Sequence, residues 1–240
     1  MHVAIIGLGP SSSMYPDICK RLGDRRRFCD QTWVINAYGS ILAHDLLFHM
    51  DDVRVQMIRA QAEPDSNIAA MLAWLKIHPE PIVTSRAHPD FPSLVEFPLQ
   101  EVVNEFPNAY FNSTAAYAVA YAIYKKATKL TLFGMDFTYP DAHDAERGRA
   151  CVEFWLGVAT QRGIDLSVPK TSTLLDAIYP QAERFYGYDC VDLKIERVDG
   201  LIRVGMTERE ALPTAAELEA RYDHGQHPNP LSPQRAAGYS

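Results

Sequence analysis

Five short stretches carry residues able to do chemistry, and each follows a run of β-forming residues or opens a helix. Gly7-Leu8-Gly9-Pro10-Ser11-Ser12 comes directly after an apolar run. Two glycines there let backbone amides approach a ligand, and a helix starting beyond them offers unpaired N–H groups and a positive dipole end. Ser11 or Ser12 would cap that helix or hold a phosphate. The spacing is not GxGxxG, so no NAD fingerprint is met. The plain alternative is a tight turn without a ligand. Asn36, ahead of Ala37-Tyr38-Gly39, offers an amide that can read a base or ribose as donor and acceptor, or else caps a short helix. Met50-Asp51-Asp52 pairs two carboxylates suited to a ribose, a metal or a basic group, with helix capping at Val53 the alternative.

Asn112-Ser113-Thr114-Ala115 opens an Ala-rich segment, where free amides and hydroxyls suit an anion and the same residue types suit a cap. It is also formally a glycosylation sequon, a use that no secretory signal supports. The fifth stretch is Gly134-Met135-Asp136-Phe137-Thr138-Tyr139, leading to Pro140-Asp141-Ala142-His143. Gly134 and Asp136 suit close ligand approach, and His143 suits general acid or base work near neutral pH. Arg147 and Arg149 could clamp phosphate; a solvated charged loop is the alternative. His44 and His49, with Asp45 and Asp51, lack metal-ligand spacing, and a metal role for His224 and His227 is disfavoured. No GxSxG, HExxH, Walker A or kinase signature occurs.

The elements that must position these groups alternate. Residues 2–6, 32–35, 45–50, 81–84, 129–133 and 164–168 read as strands. Residues 13–22, 66–77, 113–127 and 150–162 read as helices, and 139–149 as a polar loop entering the last of them. Residues 88–98 hold three prolines and read as irregular or edge-like. Tyr117, Tyr121 and Tyr124 recur at helical spacing, which core packing explains. The order predicts an α/β domain with a Rossmann-like, doubly wound, mainly parallel sheet over residues 1–178. Beyond it, 191–204 alternates around Asp199-Gly200 and predicts a hairpin. Thr207 and Glu210 are spaced as a capping box for a helix reaching 222, completing a hairpin-helix appendage over 179–222. Residues 223–240 are polar and Pro-rich, an expected disordered tail.

Composition bounds the rest. The 240 residues include 47% hydrophobic and 22% charged side chains, enough for a real core. The formal charge of -7 argues against a broad nucleic-acid surface, though a small basic cleft stays open. Four cysteines without CxxC spacing read as reduced thiols, and no signal peptide or membrane span is evident. A soluble, cytoplasmic protein is expected, and association of copies stays open.

Taken in order, GLGPSS, VINAY, LLFHMD, FNSTAAYAVAYAIYKKATKLTLFGMDFTY and the nearby histidine resemble the MptE-like superfamily. That group includes archaeal 6-hydroxymethylpterin diphosphokinases, motility accessory (Maf) glycosyltransferases and family-42 bacterial sialyltransferases; the resemblance covers roughly residues 1–178. It implies that Gly9, Ser11 and Asn36 contact a nucleotide. Ser113, Thr114 and Ala115 stand where the sialyltransferases have a Thr-Ser-Gly turn, with Ala115 in place of the glycine. Asp51 stands where they have an Asn. His143 and Tyr139 resemble the GxD…H segment of the Maf and MptE-like members.

The resulting expectation is a transferase using a nucleotide-activated donor, a nucleotide sugar or ATP, most directly a glycosyltransferase. Gly7, Gly9, Pro10, Ser11, Ser12, Asn112, Ser113, Thr114, Ala115, Gly134 and Tyr139 would hold the nucleotide with Asn36 and Asp51. His143 and Asp136 would be catalytic, with Arg147 and Arg149 on leaving phosphate. One alternative is a Mg²⁺-dependent diphosphokinase, with Asp51 and Asp136 on the metal; another is a non-catalytic nucleotide-binding protein. The acceptor stays open among small metabolite, glycan, protein and modified base.

Overall fold

The structure is a computed structural model describing residues 1–106, 109–138, 140–180, 184–188, 190–199 and 201–220. Nine strands and seven α-helices are named in chain order. They are β1 (His2–Ile6), α1 (Met14–Leu22), β2 (Gln31–Ile35), β3 (Leu46–Phe48), α2 (Val53–Ala62) and α3 (Asn67–Ile77). Then come β4 (Ile82–Thr84), β5 (Leu94–Glu96), α4 (Leu99–Glu105), α5 (Thr114–Tyr124), β6 (Lys129–Phe133), α6 (Ala142–Gln161) and β7 (Asp165–Ser167). Last are β8 (Val191–Val198), β9 (Leu201–Glu208) and α7 (Ala215–Glu219). The chain divides after Ile178 into two compact units.

In the first unit seven strands form one parallel sheet ordered β5-β4-β3-β2-β1-β6-β7. Period-2 alternation splits each strand between two cores. Val3 and Ile5 of β1, with Trp33, Ile35, Phe48 and Leu132, bury against α5 and α6 through Val119, Ile123, Val152 and Trp155. Ala4 and Ile6, with Val34, Leu47, Ile82 and Phe133, bury on the other face with Tyr15 of α1, Val53 of α2 and Leu72 of α3. Each large side chain fully buried contributes about 1.5–3 kcal/mol. Helices thus cover both faces, and the sheet is doubly wound as the sequence predicts.

The strand order reverses between β1 and β6. After β1 the chain turns to the α1 face, and after β6 to the α6 face, and a crevice lies at the carboxyl edge beside the point where the two loops meet. In α5, Ala115, Ala116, Ala118, Ala120 and Ala122 are buried. Their short side chains let this helix lie close on the sheet, with its N-terminus at that same edge. The three tyrosines of α5 pack against this core, as their spacing predicts.

Several boundaries differ from the sequence reading. The stretch 139–149, expected as a loop, is mostly helix: α6 begins at Ala142 because the Asp141 side chain accepts from the N–H groups of His143 and Asp144. Residues 99–105, unassigned by sequence, form α4, whereas the Pro-rich 88–98 segment supplies edge strand β5 in keeping with its edge-like reading. In the second unit β8 and β9 pair antiparallel, Val198 facing Leu201. Thr207 lies in β9 opposite Asp192, so the expected capping box at Thr207 and Glu210 is not formed. The box lies further along the chain, Thr214 with Glu217, opening α7. The expected tail, and residues 221–222 of the expected helix, lie outside the described residues. Among the described residues no helix is long and apolar enough to cross a membrane. All four cysteines are free.

The two loops of the crevice meet backbone to backbone. Gly7 N–H donates to Phe133 O at 2.8 Å and Gly9 N–H to Gly134 O at 2.7 Å. A Cβ on Gly7 would fall 2.5 Å from Gly134 O, and Gly134 itself has φ +67 with the Gly7 carbonyl against it. Gly23, with φ +80, has nothing near its missing Cβ. Gly23→Ala should therefore cost only the left-handed backbone, about 1–2 kcal/mol. Gly134→Ala adds overpacking and should cost at least about 3 kcal/mol, read as a shift in urea midpoint.

Candidate functional site

A cleft of about 520 Å³ opens where the loops after β1, β2, β3 and β6 converge with the N-termini of α5 and α6. It is lined by Gly7, Leu8, Gly9 and Pro10, by Asn36 and Asp51, and by Asn112, Ser113, Thr114 and Ala115. Its far side is Gly134 to Thr138, with Asp144 and Gly148 of α6. The structure thus brings residues from all five chemically suggestive stretches to one place. His143, Arg147, Arg149 and Ser12 do not line it. Tyr139 lies outside the described residues.

Asp136 is buried, 2% exposed, between the two glycine loops. Its Oδ2 accepts from Ser11 N–H and its Oδ1 from Ser11 Oγ–H, each at 2.7 Å. Ser11 Oγ in turn accepts from Gly134 N–H at 2.7 Å. Both carboxylate oxygens are therefore engaged in closing the crevice. The metal pair expected from Asp51 and Asp136 does not fit this donor set, and no cluster of three His, Cys, Asp or Glu suited to a metal exists among the described residues.

The same contacts redirect the glycine loop. Its amides were expected to face a ligand. Instead Gly7, Gly9, Ser11 and Ser12 N–H bond to Phe133 O, Gly134 O, Asp136 and Gly9 O. Pro10 has no N–H. The glycines allow backbone to approach backbone, and the loop forms one wall of the cleft.

Free donors lie across from it. Ser113 caps α5, its Oγ accepting from Ala116 N–H at 3.3 Å. The N–H groups of Thr114 and Ala115 precede the first intrahelical bond and border the cleft. Ser113 Oγ also sits 3.4 Å from Cys151 Sγ. The two carboxylates after β3 divide their tasks: Asp52 caps α2, accepting from Arg54 N–H, while Asp51 is exposed and lines the cleft. The Arg54 guanidinium holds the Asp52 carboxyl down at about 2.

The arginine clamp expected from Arg149 is not aimed at the cleft. Arg149 Nε pairs with Glu153 at 2.8 Å and its guanidinium with Asp176 at 2.7 Å. No Lys, Arg or His is among the residues lining the cleft, whereas Asp51, Asp136 and Asp144 are. Behind the far wall, residues 172–176 brace the β6 loop. Ser172 Oγ donates to Met135 O at 3.1 Å, Thr173 Oγ1 to Asp136 O at 2.6 Å, and Leu175 N–H to Glu153 at 2.7 Å.

Asn36 does not cap the following short helix. Its φ is +51, a left-handed value that Asn tolerates. Its Oδ1 lies 3.1 Å from His49 Nδ1, and His49 Nε2 lies 2.9 Å from Gln56 Oε1. His49 and Gln56 are the cleft's supporting groups that sequence reasoning missed. The available signal was a polar His directly after the buried strand residues Leu47 and Phe48. Burial lowers the His49 pKa, against a smaller opposing effect of the Gln56 bond and the Asp51 charge.

No protein-family model and no curated protein matches the chain. Solved structures do. The α-2,3/8-sialyltransferase CstII shares 13% identity over 92% of this chain and 100% of its own, with TM-score 0.42. CstII from Campylobacter jejuni with the substrate analogue CMP-3FNeuAc shares 15% over 91% and 97%, TM-score 0.43. Its complex with cytidine-5'-monophosphate shares 15% over 92% and 98%, TM-score 0.42. At these identities and scores no residue role is carried across.

Two outcomes follow from the site's interior. Asp136→Ala leaves two buried donors of Ser11 unpaired, at about 1–3 kcal/mol each, and should lower the urea midpoint accordingly. Lowered histidines act on pH dependence. The native state disfavours the His49 proton, so the unfolded chain binds it first. That stabilising preference is complete above about pH 6.5 and is lost as pH falls toward the depressed folded value. His2 and His78 shift the same way, burial the main cause. Stability should thus fall with acidification from about pH 6.5, and His49→Phe should flatten part of that slope.

Proposed function

We propose that this chain is a transferase that uses a nucleotide-activated sugar linked through a single phosphate. The observation that carries this reading is the cleft itself: free helix-start amides on one side, Asp51 and Asp144 on others, and no cationic side chain in the lining. A triphosphate would bring several negative charges to such a surface. A sugar joined to a nucleoside monophosphate carries one on its phosphate. That charge favours the glycosyl donor over ATP, in line with the resemblance of the chain's motif order to glycosyltransferases.

In this reading the donor phosphate sits on the N–H groups of Thr114 and Ala115, whose positive helix end stabilises the departing charge. The wall formed by Gly7, Leu8, Gly9 and Pro10 excludes water from one side. Asn36 and Asp51 orient base or ribose through hydrogen bonds. The acceptor hydroxyl oxygen bonds to the donor's sugar carbon as the carbon–oxygen bond to phosphate breaks. The hydroxyl proton passes to a base on the first turn of α6, and the nucleotide leaves with the bonding electrons. His143 lies on that turn, but Asp144 is the group that borders the cleft. We assign the base role to Asp144. Asp136 acts by positioning: it fixes the two loops. No step is routed through a metal.

Isothermal titration with CMP, UDP, GDP and ATP, each with and without Mg²⁺, tests the donor class. CMP should bind without Mg²⁺; binding of ATP alone, and only with Mg²⁺, would overturn the glycosyl reading. Once a donor is identified, Asp144→Asn should lower kcat by about 100-fold with nucleotide affinity kept. His143→Ala should keep most turnover, and the reverse pattern would move the base to His143.

A further inference from the structure

The cleft lies at the carboxyl edge of the sheet. The amino edge holds a second pair of chemistry-bearing groups that the proposed transfer does not use. His44 lies in the connection from β2 to β3, and His78 follows α3 on the way to β4. Their Nε2 atoms are 3.2 Å apart and their ring centroids 5.1 Å, with the ring planes within 16° of parallel. His44 Nδ1 stands 2.7 Å from Leu42 O. A carbonyl oxygen only accepts, so Nδ1 carries the hydrogen, and the neutral ring leaves Nε2 bare toward His78. Trp74 packs on His78 with ring centroids 4.6 Å apart. A Cβ at Gly39 would fall 3.0 Å from Trp74 and 3.3 Å from His44, so glycine there leaves room for both rings. His78 is buried, whereas His44 is half-buried, which leaves the pair reachable from solvent.

We propose that His44 and His78 form a two-histidine site for a divalent transition ion, zinc above all, with water in its remaining positions. Two nitrogens on a tetrahedral zinc, at its usual bond length, stand about 3.3 Å apart and set their ring centroids about 5.2 Å apart. The observed separations follow that arrangement. A head-on N–H···N bond of the same length would hold the centroids about 5.5 Å apart. His44 also has the second contact typical of a zinc ligand: its far N–H is given to a backbone carbonyl, which fixes the tautomer with Nε2 free to bind.

Asp45, next in the chain, is committed to Arg25, Arg26 and the Thr32 N–H and does not complete the shell. Among the described residues no cluster of three metal-suited groups exists, so water fills the other positions and the ion stays exchangeable. Imidazole nitrogens suit zinc, copper and nickel, whereas magnesium and calcium take oxygen. A bound ion would join the β2–β3 connection to the α3–β4 connection, 34 residues apart in sequence, at the edge opposite the cleft. The site stands whether or not the cleft binds a nucleotide.

The test titrates the full chain, stripped of metal by a chelator, with Zn²⁺. Saturating zinc should raise the urea midpoint, because an ion held only by the folded state stabilises it. His44→Ala and His78→Ala, each leaving one imidazole, should lower zinc affinity at least about tenfold. His224 and His227 are a competing pair in the sequence; the chain with both changed to Ala should still bind one zinc. Cu²⁺, a quencher at short range, should dim the emission of Trp74 beside His78, while Trp33 and Trp155 are 1% and 0% exposed. Trp74→Phe should remove that quenching and keep zinc affinity. If His78→Ala does not fold, His44→Ala and the Trp74 signal decide. No zinc binding at millimolar concentration would leave only a His–His hydrogen bond and overturn the proposal. Full zinc affinity in His44→Ala, or its loss in the His224→Ala, His227→Ala chain, would overturn it equally.

Discussion

The bond set between Ser11 and Asp136 is the contact on which the rest of the cleft depends. Where the strand order of a parallel sheet reverses, the chain leaves the two strands toward opposite faces, and the carboxyl edge between them can open as a crevice. Left to themselves, the loops after β1 and β6 would be two independent polar segments with costly backbone freedom. Here the buried carboxylate of Asp136 takes both donors of Ser11, and Ser11 Oγ takes the Gly134 amide. Hydrogen bonds to a carboxylate are among the stronger ones, and burial raises their weight. Glycine at 7 and 134 lets the two backbones come close enough for this to happen. The crevice therefore has one fixed width, against which Asn36 and the start of α5 can be arranged.

That closure has an electrostatic consequence. The N–H groups of Gly7, Gly9, Ser11 and Ser12 are consumed in holding the protein together, whereas those of Thr114 and Ala115 at the cleft have no intrahelical partner. In the proposed nucleotide-sugar reading, Asp51 and Asp144 at the cleft favour a donor with one negative charge over one with several. The arginines nearby in sequence do not relieve this. Arg149 is already paired with Glu153 and Asp176.

Much of the frame was legible in the sequence because a buried parallel strand needs an unbroken apolar run and a crossover helix needs an apolar face. HVAII, TWVI and KLTLF announce β1, β2 and β6, and the alanines of 115–122 announce a helix lying close on a sheet. The residues around the cleft were legible as a set, less so in their tasks. A glycine in a sequence does not show what approaches it, so the Gly134 backbone against Gly7 and Gly9, and the Asp136 carboxylate against Gly9, were out of view. Asp136 read as chemistry because its partner lies 125 residues away. Arg149 read as a phosphate clamp because Asp176, 27 residues on, was not in view. The start of α6 was hidden by a polar first turn, where the Asp141 cap outweighs the lack of apolar periodicity. His49 is the clearest miss: one histidine has no motif, and only folding shows the two amides at its ring.

The bracing of the β6 loop by residues 172–176 sets how short this unit can be. By strand count the sheet is finished at Ser167, the end of β7. Yet Ser172 and Thr173 hold the carbonyls of Met135 and Asp136 from behind, and Leu175 and Asp176 accept left-handed backbone while reaching Glu153 and Arg149. A version of the chain ending at β7 would keep every strand of the parallel sheet and lose the support of the loop at its carboxyl edge. The working boundary of the unit is thus drawn by the loop it must hold still, at Asp176 and not at Ser167 where the sheet alone would place it.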